Sequence, residues 1–598
     1  MYKNKKNTGA TACCPKDVKD DDHPAFVDEA SLVQTIYDAC QIPVEPEEDV
    51  HVPHTLISPT LLKEQMEQQQ PTYDGGSFTD GTPNTPADKM TRPFTLRRLA
   101  SNGIKINVAR NEAESQRGHL RLVAPGGRDA EVRMGLKEGS MAVGARAMQE
   151  GGAFGDWTRE QVELFCVDHL LMVEITSTEE SLQYDFTFPT TNVGNIGFGD
   201  NIQKGITGTE ATLQIVREII QGFRWEQDAL GRSQQSYRTA HESMTKSLEG
   251  KSTELLMSTM TSNDTRFLSM DIPTINAITL EDAKKAVLSQ LHPSNLEVSM
   301  AGDFDPQSVL DMIQLYLGTI PSSTNEEYVD EEKSMEFGSV PPMPLPGTHL
   351  ELELTDPDPR AVSYVAGAAP NAWGYLQDGS TVAALVAEKD KRASEYDKQR
   401  RQHPLFAHVC LLLISEILNR RLFSNVRERK QLTYDANFSF TQFERLMGGY
   451  FLVTVTASQE KAQKALEACQ ETLLSLKSKS PITIDNLTSA KRVVLNRHEG
   501  ELRTNSYWAT ALMSGIQEES IPKKGPLSVT DFYAVMESIT TQDLQLVLET
   551  SLLGFTDPTH QYTAIGRTVL PEGYTPPKDE VMKASPMAGM SRGGALMN

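Results

Sequence analysis

Apolar residues recur with the periods of strands and helices in two stretches of the chain, and the first runs from about 94 to 320. It opens at 104–108, where every second residue is apolar, directly after Ser101-Asn-Gly, a sequence typical of the turn between antiparallel strands. The same alternation predicts strands at 182–188 and 296–300. The helices predicted in this stretch are 136–150, 158–170, several within 209–262, and one that begins at Asp305-Pro306.

A second stretch, from about 347 to 568, repeats this plan. An apolar helix is predicted around 405–425, and Ser458 can cap a further helix. One face of that further helix is formed by Ala462, Leu466, Cys469, Leu473 and Leu476. Strands are predicted at 361–367, 431–440, 448–457 and 560–566. Together the two stretches predict an α+β fold of two similar lobes, each an antiparallel sheet covered by helices on one face.

Three segments outside these lobes contain few apolar residues. Residues 1–92 are polar and rich in Pro, Asp, Glu and Gln, so we expect a largely disordered linker that carries two short helices. Residues 321–346 are acidic and rich in proline, which predicts a linker between the lobes, and 569–598 predict a flexible tail. The domain boundaries that follow are 94–320 for the first lobe and 347–568 for the second.

The 598 residues carry a formal net charge of −24, and this acidity bears on the class of partner. A nucleic acid or an anionic membrane surface would be repelled, whereas a basic polypeptide would be attracted. No run approaches the roughly 18 consecutive apolar residues of a membrane-spanning helix, so neither nucleic acid nor membrane is an expected partner. The six cysteines form no CxxC pair, which is typical of a reducing compartment, and no targeting segment is evident at the start.

The motifs of several common enzyme classes are absent from the sequence. Gly250-Lys-Ser lacks the upstream glycine of a phosphate-binding loop, and no GxSxG nucleophile motif occurs. Neither HxxEH nor HExxH, the helical zinc motifs, is present. The pairs Cys166/His169 and His403/His408 are better explained by core packing and a helix start than by metal binding. No metal ligand is therefore assigned to this chain.

One polar constellation remains, Val426-Arg-Glu-Arg-Lys-Gln-Leu-Thr-Tyr434, where the apolar helix ends and a strand begins. From the pattern alone a structural interpretation is adequate. Arg427 complements the dipole at the helix C-terminus, and Tyr434 lies on the apolar face of the strand.

Several longer segments resemble the pitrilysin/insulinase family of zinc peptidases, in particular its plant plastid members. They are Glu150-Gly-Gly, Thr158 to His169, Leu296 to Phe304, Ala368 to Gly374 and Arg497 to Trp508. Residues from about 94 to 566 are similar to the last two of that family's four homologous domains. The resemblance implies a clamshell of two halves, each made of two domains, and this chain would be the C-terminal half.

The zinc motif HxxEH of that family lies in its first domain, which the resemblance does not include. In the third domain, Ala147-Met-Gln-Glu-Gly151 occupies the corresponding place and retains only Glu150. The resemblance therefore implies zinc for the complete enzyme and none bound by this chain alone. It also implies that this half contributes an arginine and a tyrosine that hold peptide carbonyl groups, and Arg427 and Tyr434 match that pair in type and spacing.

These implications predict a substrate-binding, non-zinc half of a metalloendopeptidase that processes transit-peptide precursors in the plastid stroma. The chain alone would be inactive, and cleavage would need an HxxEH-bearing half, encoded upstream or as a separate subunit. Two alternatives stay open. One is a noncatalytic peptidase-like subunit that serves as an interaction or assembly protein, and the other is an autonomous metalloenzyme with an unfamiliar site.

Overall fold

The computed structural model describes residues 29–39, 41, 50–74, 78–79, 94–191, 195–196, 203–329, 338–344, 347–433, 435–478, 481–518 and 524–572. Within residues 1–51 the element described is helix α1 (Glu29–Ala39). The chain from Val52 onward forms one compact unit that contains both lobes.

The first lobe is built on an eight-stranded sheet. Its strands are β1 (Tyr73–Asp74), β2 (Phe78–Thr79), β3 (Phe94–Leu99), β4 (Lys105–Arg110), β5 (Arg117–Pro125), β6 (Met172–Ser177), β7 (Ser181–Pro189) and, after a ribbon of β8 (Asn195–Ile196) and β9 (Gln203–Lys204), β10 (Glu297–Gly302). The order is β1-β3-β4-β10-β5-β7-β6, with β2 also paired to β3. Strand β10 is parallel to β4 and antiparallel to β5, so the last strand of the lobe lies inside the sheet.

The first lobe has ten α-helices in its described residues, several of which begin at a capping side chain. They are α2 (Pro59–Gln69), α3 (Gly127–Arg133), α4 (Ser140–Gly151), α5 (Arg159–Asp168), α6 (Gly208–Gln221), α7 (Gln227–Lys246), α8 (Leu248–Met260), α9 (Ile272–Ala277), α10 (Leu280–Leu288) and α11 (Pro306–Tyr316). Thr158 and Gln161 form a capping box before α5. The Asp305 carboxylate accepts a hydrogen bond from the Ser308 N–H at 2.8 Å, with Pro306 opening α11 as predicted. The buried core of the lobe includes Ile106, Leu122, Tyr184, Phe186, Ile215 and Val298.

The second lobe has a five-stranded sheet, ordered β11-β15-β12-β14-β13. Its strands are β11 (His349–Thr355), β12 (Ala361–Ala369), β13 (Asp435–Phe440), β14 (Gly449–Ala457) and β15 (Tyr562–Val569). Its helices are α12 (Val382–Lys389), α13 (Glu395–Arg401), α14 (Leu405–Leu422), α15 (Ala462–Ser478), α16 (Ile484–Glu501), α17 (Pro526–Thr530), α18 (Phe532–Ser538) and α19 (Thr541–Ser551), with two π-helices at Phe423–Arg429 and Tyr507–Met513. Strands β11 and β15 are parallel, and the other pairs are antiparallel.

Each lobe covers the second face of the other lobe's sheet. Helix α8 of the first lobe packs on the second sheet, where Leu256 and Met260 meet Tyr364 and other apolar side chains. The π-helix Tyr507–Met513 of the second lobe packs on the first sheet, where Trp508 is fully buried beside Phe94. Burial of each large side chain contributes roughly 1.5–3 kcal/mol. The central strands of both sheets are therefore buried on two faces, and the lobes hold one another together.

Polar contacts add to this junction between the lobes. The carboxylate of Glu180, just before β7, accepts hydrogen bonds from the backbone N–H groups of Glu444, Arg445 and Leu446 at 3.0, 2.6 and 2.7 Å. Burial raises the pKa of Glu180 to about 7, although these three hydrogen bonds act in the opposite direction. A carboxylate at the junction therefore titrates near neutral pH.

The predicted α+β class and the two helix-covered sheets are confirmed. Three details differ from the prediction. Each sheet contains one parallel pair, because its last strand returns beside an early one. The helix expected directly after Ser458 begins at Ala462, following a turn in which the Ser458 C=O accepts from the Lys461 N–H at 2.9 Å. Within the segment expected to be a linker, Leu62 on α2 is buried in the core of the first lobe. A few apolar residues are enough to dock a short helix onto a core that other elements already form.

Candidate functional site

Arg427 lies on the π-helix Phe423–Arg429, which continues α14 beyond its α-helical end. Two contacts anchor this segment: the side chain of Val426 is fully buried, and the Asn425 Nδ2 donates to Thr472 Oγ1 on α15 at 2.7 Å. Arg427 itself is exposed. π-Helices are rare in proteins, and those that occur are often found at functional sites. The segment thus presents an arginine to solvent from a fixed backbone.

The guanidinium of Arg427 lies over the ring of Phe423, with its carbon 4.8 Å from the ring centroid. A cation–π contact of this kind orients the group without using its N–H donors. No carboxylate forms a salt bridge with Arg427 in the described part of the chain, whereas Lys430 nearby is paired with Glu471 at 2.6 Å. Its donors are therefore available to a carbonyl or carboxylate of a ligand.

Tyr434 lies outside the described residues, so its distance from Arg427 stays a prediction. The residues on either side of it are fixed by hydrogen bonds. The Asp435 N–H donates to Thr433 Oγ1 at 2.9 Å, and the Thr433 hydroxyl also contacts the C=O of Thr456 on β14. The chain between the π-helix and β13 is thus tied to the sheet close to Tyr434.

The stretch in the place of the zinc motif ends α4, and its charged group is occupied. The carboxylate of Glu150 is 2.7 Å from the Arg146 guanidinium and 4.0 Å from that of Arg232, which also donates to the Glu150 C=O at 2.8 Å. A β-carbon added to Gly151 would lie 3.0 Å from the ring of Phe223. Ala147 is buried and offers no ligand. One carboxylate held by two cations does not fit a zinc ion.

The side chain of Gln149, next to Glu150, contacts the backbone of β6. Its Oε1 accepts from the Ile175 N–H at 2.8 Å, and its Nε2 donates to the Val173 C=O at 3.3 Å. A cleft of about 590 Å³ lies beside this contact, lined by α4, α5, β6 and Tyr237. Sequence analysis missed both β6 and this role of Gln149. The run Met-Val-Glu-Ile-Thr-Ser, with its β-branched residues, was the available signal for the strand.

The cysteine and histidine pairs considered as metal ligands have structural roles. Burial raises the pKa of the Cys166 thiol to about 12, and the ring of His169 packs on Phe165 with centroids 4.3 Å apart. His403 pairs with Asp531 and accepts from the Leu405 N–H at the start of α14.

His408 stacks on Trp373, with ring centroids 5.1 Å apart, and burial lowers its pKa. Among the described residues, no group of three or more His, Cys, Asp or Glu side chains could hold a metal ion. No helix in the described ranges is long and apolar enough to cross a bilayer.

Comparisons with known proteins agree with these features. The family described as Peptidase M16 inactive domain matches residues 277–494. The chloroplastic stromal processing peptidase of Pisum sativum is 34% identical over 526 residues, which are 85% of this chain and 39% of that protein. The chloroplastic stromal processing peptidase of Arabidopsis thaliana is also 34% identical, over 86% of this chain and 40% of its own length. The chain thus spans about 40% of the length of these curated relatives.

Among solved structures, the peptidase M16 inactive domain from Pseudomonas fluorescens has a TM-score of 0.57 and 14% identity, covering 81% of this chain and 100% of that one. The periplasmic protease PqqL from Escherichia coli has a TM-score of 0.61 and 12% identity, covering 91% of this chain and 51% of that one. At this identity the structures support the fold. The sequence similarity and the family match together show that the chain belongs to the M16 peptidases, the pitrilysin/insulinase family, and corresponds to their inactive C-terminal part.

Proposed function

We propose that this chain is the substrate-holding half of a zinc metalloendopeptidase that processes precursor polypeptides, and that cleavage needs an HxxEH-bearing half. The observation that carries the proposal is the exposed guanidinium of Arg427, which has no carboxylate partner in the described residues and stands on an anchored π-helix. An exposed arginine that forms no ion pair with the described residues of so acidic a chain is suited to bind a ligand.

In this proposal Arg427 donates hydrogen bonds to a carbonyl oxygen of the bound polypeptide and so fixes its position. Tyr434 would supply a second donor from its hydroxyl. A charged guanidinium and a neutral hydroxyl, both donating hydrogen bonds, also stabilise negative charge that develops on the carbonyl oxygen during amide hydrolysis. The other half would supply the metal that activates water, since the residues at the end of α4 do not fit one.

The substrate class follows from charge and from the relatives. The net charge of −24 favours a basic polypeptide, such as a transit-peptide precursor. The relatives are named chloroplastic, which supports the plastid stroma as the proposed compartment. Because the chain spans about 40% of their length, the missing half would be encoded upstream or as a separate subunit.

The test is reconstitution with the part of the Pisum sativum relative that lies outside the residues matched by this chain, followed by the rate of cleavage of a basic precursor peptide. We expect cleavage with both halves, and a loss of roughly 100-fold in kcat/KM for Arg427→Ala. Arg429→Ala is the matched control, because Arg429 is also exposed on the same π-helix. Equal activities for the two variants would remove Arg427 from the mechanism.

A noncatalytic assembly role is the second candidate. The pairing of Glu150 with two arginines supports it, because Glu150 then has a structural role at the position that corresponds to the zinc motif. This role predicts a stable complex with the HxxEH-bearing half. It also predicts that the rate of that half is independent of Arg427. The same reconstitution distinguishes the two candidates when complex formation is measured by sedimentation beside cleavage.

A further inference from the structure

Strand β6 stands at the edge of the first sheet, and the cleft of about 590 Å³ runs along it. In the described part of the chain β6 pairs with β7 alone, through registers such as Ile175 with Tyr184. Its outer backbone groups therefore face the cleft. An exposed strand edge is a template for a further strand, which makes it a recognised mode of peptide binding.

The side chain of Gln149 uses two of these outer groups, the Ile175 N–H and the Val173 C=O. A primary amide carries one acceptor and donors in the same plane, as a peptide group does. Gln149 thus imitates one peptide unit of an added strand. Because this contact is made by a single flexible side chain, an arriving strand can replace it with the same types of hydrogen bond.

Two polar atoms on the wall of the cleft have no hydrogen-bond partner among the described residues. They are the Oγ of Ser177, at the end of β6, and the Nε of Arg146 on α4, and both atoms are buried. Buried polar groups in folded proteins are nearly always satisfied. The residues that line the cleft therefore include polar groups whose hydrogen bonds the described residues leave unmade.

The rim of the cleft indicates what kind of chain would bind. Glu174, on β6, is exposed and forms no salt bridge in the described ranges. Close in sequence to the cleft-lining Val173, the side chains of Val167 at the end of α5, Leu170, and Met172 at the start of β6 are 65%, 62% and 71% exposed. Exposed apolar side chains grouped beside a strand edge are typical of an interaction surface. An acidic group with apolar neighbours fits a chain that carries basic and apolar residues.

We infer that this cleft binds an extended segment of a basic polypeptide, which adds to β6 as a further strand and displaces the amide of Gln149. The site lies in the first lobe, on different elements from Arg427, and its binding needs no HxxEH-bearing half. It goes beyond the proposed function, because it gives this chain a peptide-binding site of its own.

The test measures binding of a fluorescent peptide of alternating lysine and valine, about ten residues long, to the full chain by anisotropy. N-methylation of single backbone amides is scanned along the peptide. We expect methylation at every second position to weaken binding by roughly tenfold and methylation at the positions between to have little effect, because only alternate amides of an added strand face β6. Equal effects at all positions, or no binding, would overturn the inference.

Variants of the chain test the same inference from the protein side. Gln149→Ala removes the competing amide and is expected to tighten peptide binding several-fold, whereas Gln307→Ala, at an exposed glutamine on α11, leaves it unchanged. Glu174→Gln is expected to weaken binding of the lysine peptide and not of a serine–valine peptide. Weaker binding by Gln149→Ala would contradict displacement.

Two further measurements distinguish peptide binding at β6 from binding in the second lobe and from coverage of β6 by a second copy of the chain. Arg429→Ala, at an exposed arginine of the second lobe, is expected to bind the peptide as the wild type does, so a loss there would move the peptide to the second lobe and overturn the inference. In sedimentation velocity in the same buffer, we expect Gln149→Ala to form no more dimer than the wild type does. More dimer in the variant, together with no peptide binding, would mean that a second copy of the chain covers the edge.

Discussion

The end of α4 and the π-helix after α14 each carry charged side chains at the end of a helix that packs on its own lobe's sheet, and they differ in what those charges contact. At the end of α4, Glu150 is held by Arg146 and Arg232, and Gln149 is bonded to a strand. On the π-helix, Arg427 has an aromatic ring beneath it and no carboxylate partner in the described residues. The carboxylate of Glu150 is thus paired within the protein, whereas no carboxylate among the described residues pairs with Arg427. The first arrangement does not fit a metal ion, and the second leaves the N–H donors of Arg427 available to a ligand.

The largest expected effect comes from forcing the first region back to a zinc motif. Ala147→His combined with Gly151→His restores HxxEH in sequence, but Ala147 is buried and a β-carbon at Gly151 would crowd Phe223. We expect a loss of about 3 kcal/mol in the free energy of unfolding and no stoichiometric zinc. Urea unfolding and metal analysis of the purified variant measure the two quantities. Stoichiometric zinc in a folded variant would show that the region is still a metal site.

A carboxylate held by backbone amides at the junction of the lobes gives the next effect. The pKa of Glu180 is raised to about 7 from an ordinary value of 4.5, so the folded state binds this proton more tightly than the unfolded state. The stabilisation is complete below pH 4.5 and is lost as the pH rises to about 7. We expect the wild type to lose about 2–3 kcal/mol across this window relative to Glu180→Gln.

Urea unfolding of both proteins at matched pH values measures this difference, and subtraction removes groups that titrate in both. Parallel curves would show that Glu180 does not titrate in this range. A confirmed slope would make Glu180 a third kind of charged site, because its carboxylate contacts backbone N–H groups, whereas Glu150 contacts two arginines and Arg427 an aromatic ring.

The comparison also predicts a difference in stability between Glu150→Ala and Arg427→Ala. The first removes the partner of Arg146 and Arg232 and is expected to cost about 1 kcal/mol, because these side chains are partly exposed and screened. The second removes no ion pair and is expected to change the free energy of unfolding by less than about 0.5 kcal/mol. Thermal or urea unfolding measures both. A larger loss for Arg427→Ala would make it a structural residue.

Much of the fold could be predicted from apolar spacing. Strand β7, which alternates strictly, and strand β14, which is largely apolar, were found close to their observed bounds, and so was the cap at Asp305. Strand β11 alternates equally well in His-Leu-Glu-Leu-Glu-Leu-Thr but directly follows the acidic linker, and it was missed. The packing of α8 and the π-helix Tyr507–Met513 on the opposite sheets depends on contacts between distant residues, which no local pattern encodes.

The candidate site was predictable in part. The position of Arg427 at a helix end was predicted, whereas the π-helix that presents it was not, because its sequence continues that of an α-helix. The absence of HxxEH at 147–151 could be read from the sequence. The contacts of Gln149 and Glu150 could not be predicted, because they depend on the position of the neighbouring strand and helix. Tyr434 as the second donor stays a prediction.

The smallest expected effect concerns the ring beneath Arg427. Phe423 is 45% exposed, so it contributes little to the core, and its contact with the guanidinium is worth about 0.5–1 kcal/mol. Phe423→Ala is therefore expected to leave stability unchanged and to raise the KM of the reconstituted enzyme by roughly two- to fivefold, because Arg427 samples more orientations. Phe423→Tyr, which keeps a ring, is the control. If both variants behave like the wild type, the anchored backbone alone positions Arg427, and the contrast with the end of α4 depends on the absence of a carboxylate partner.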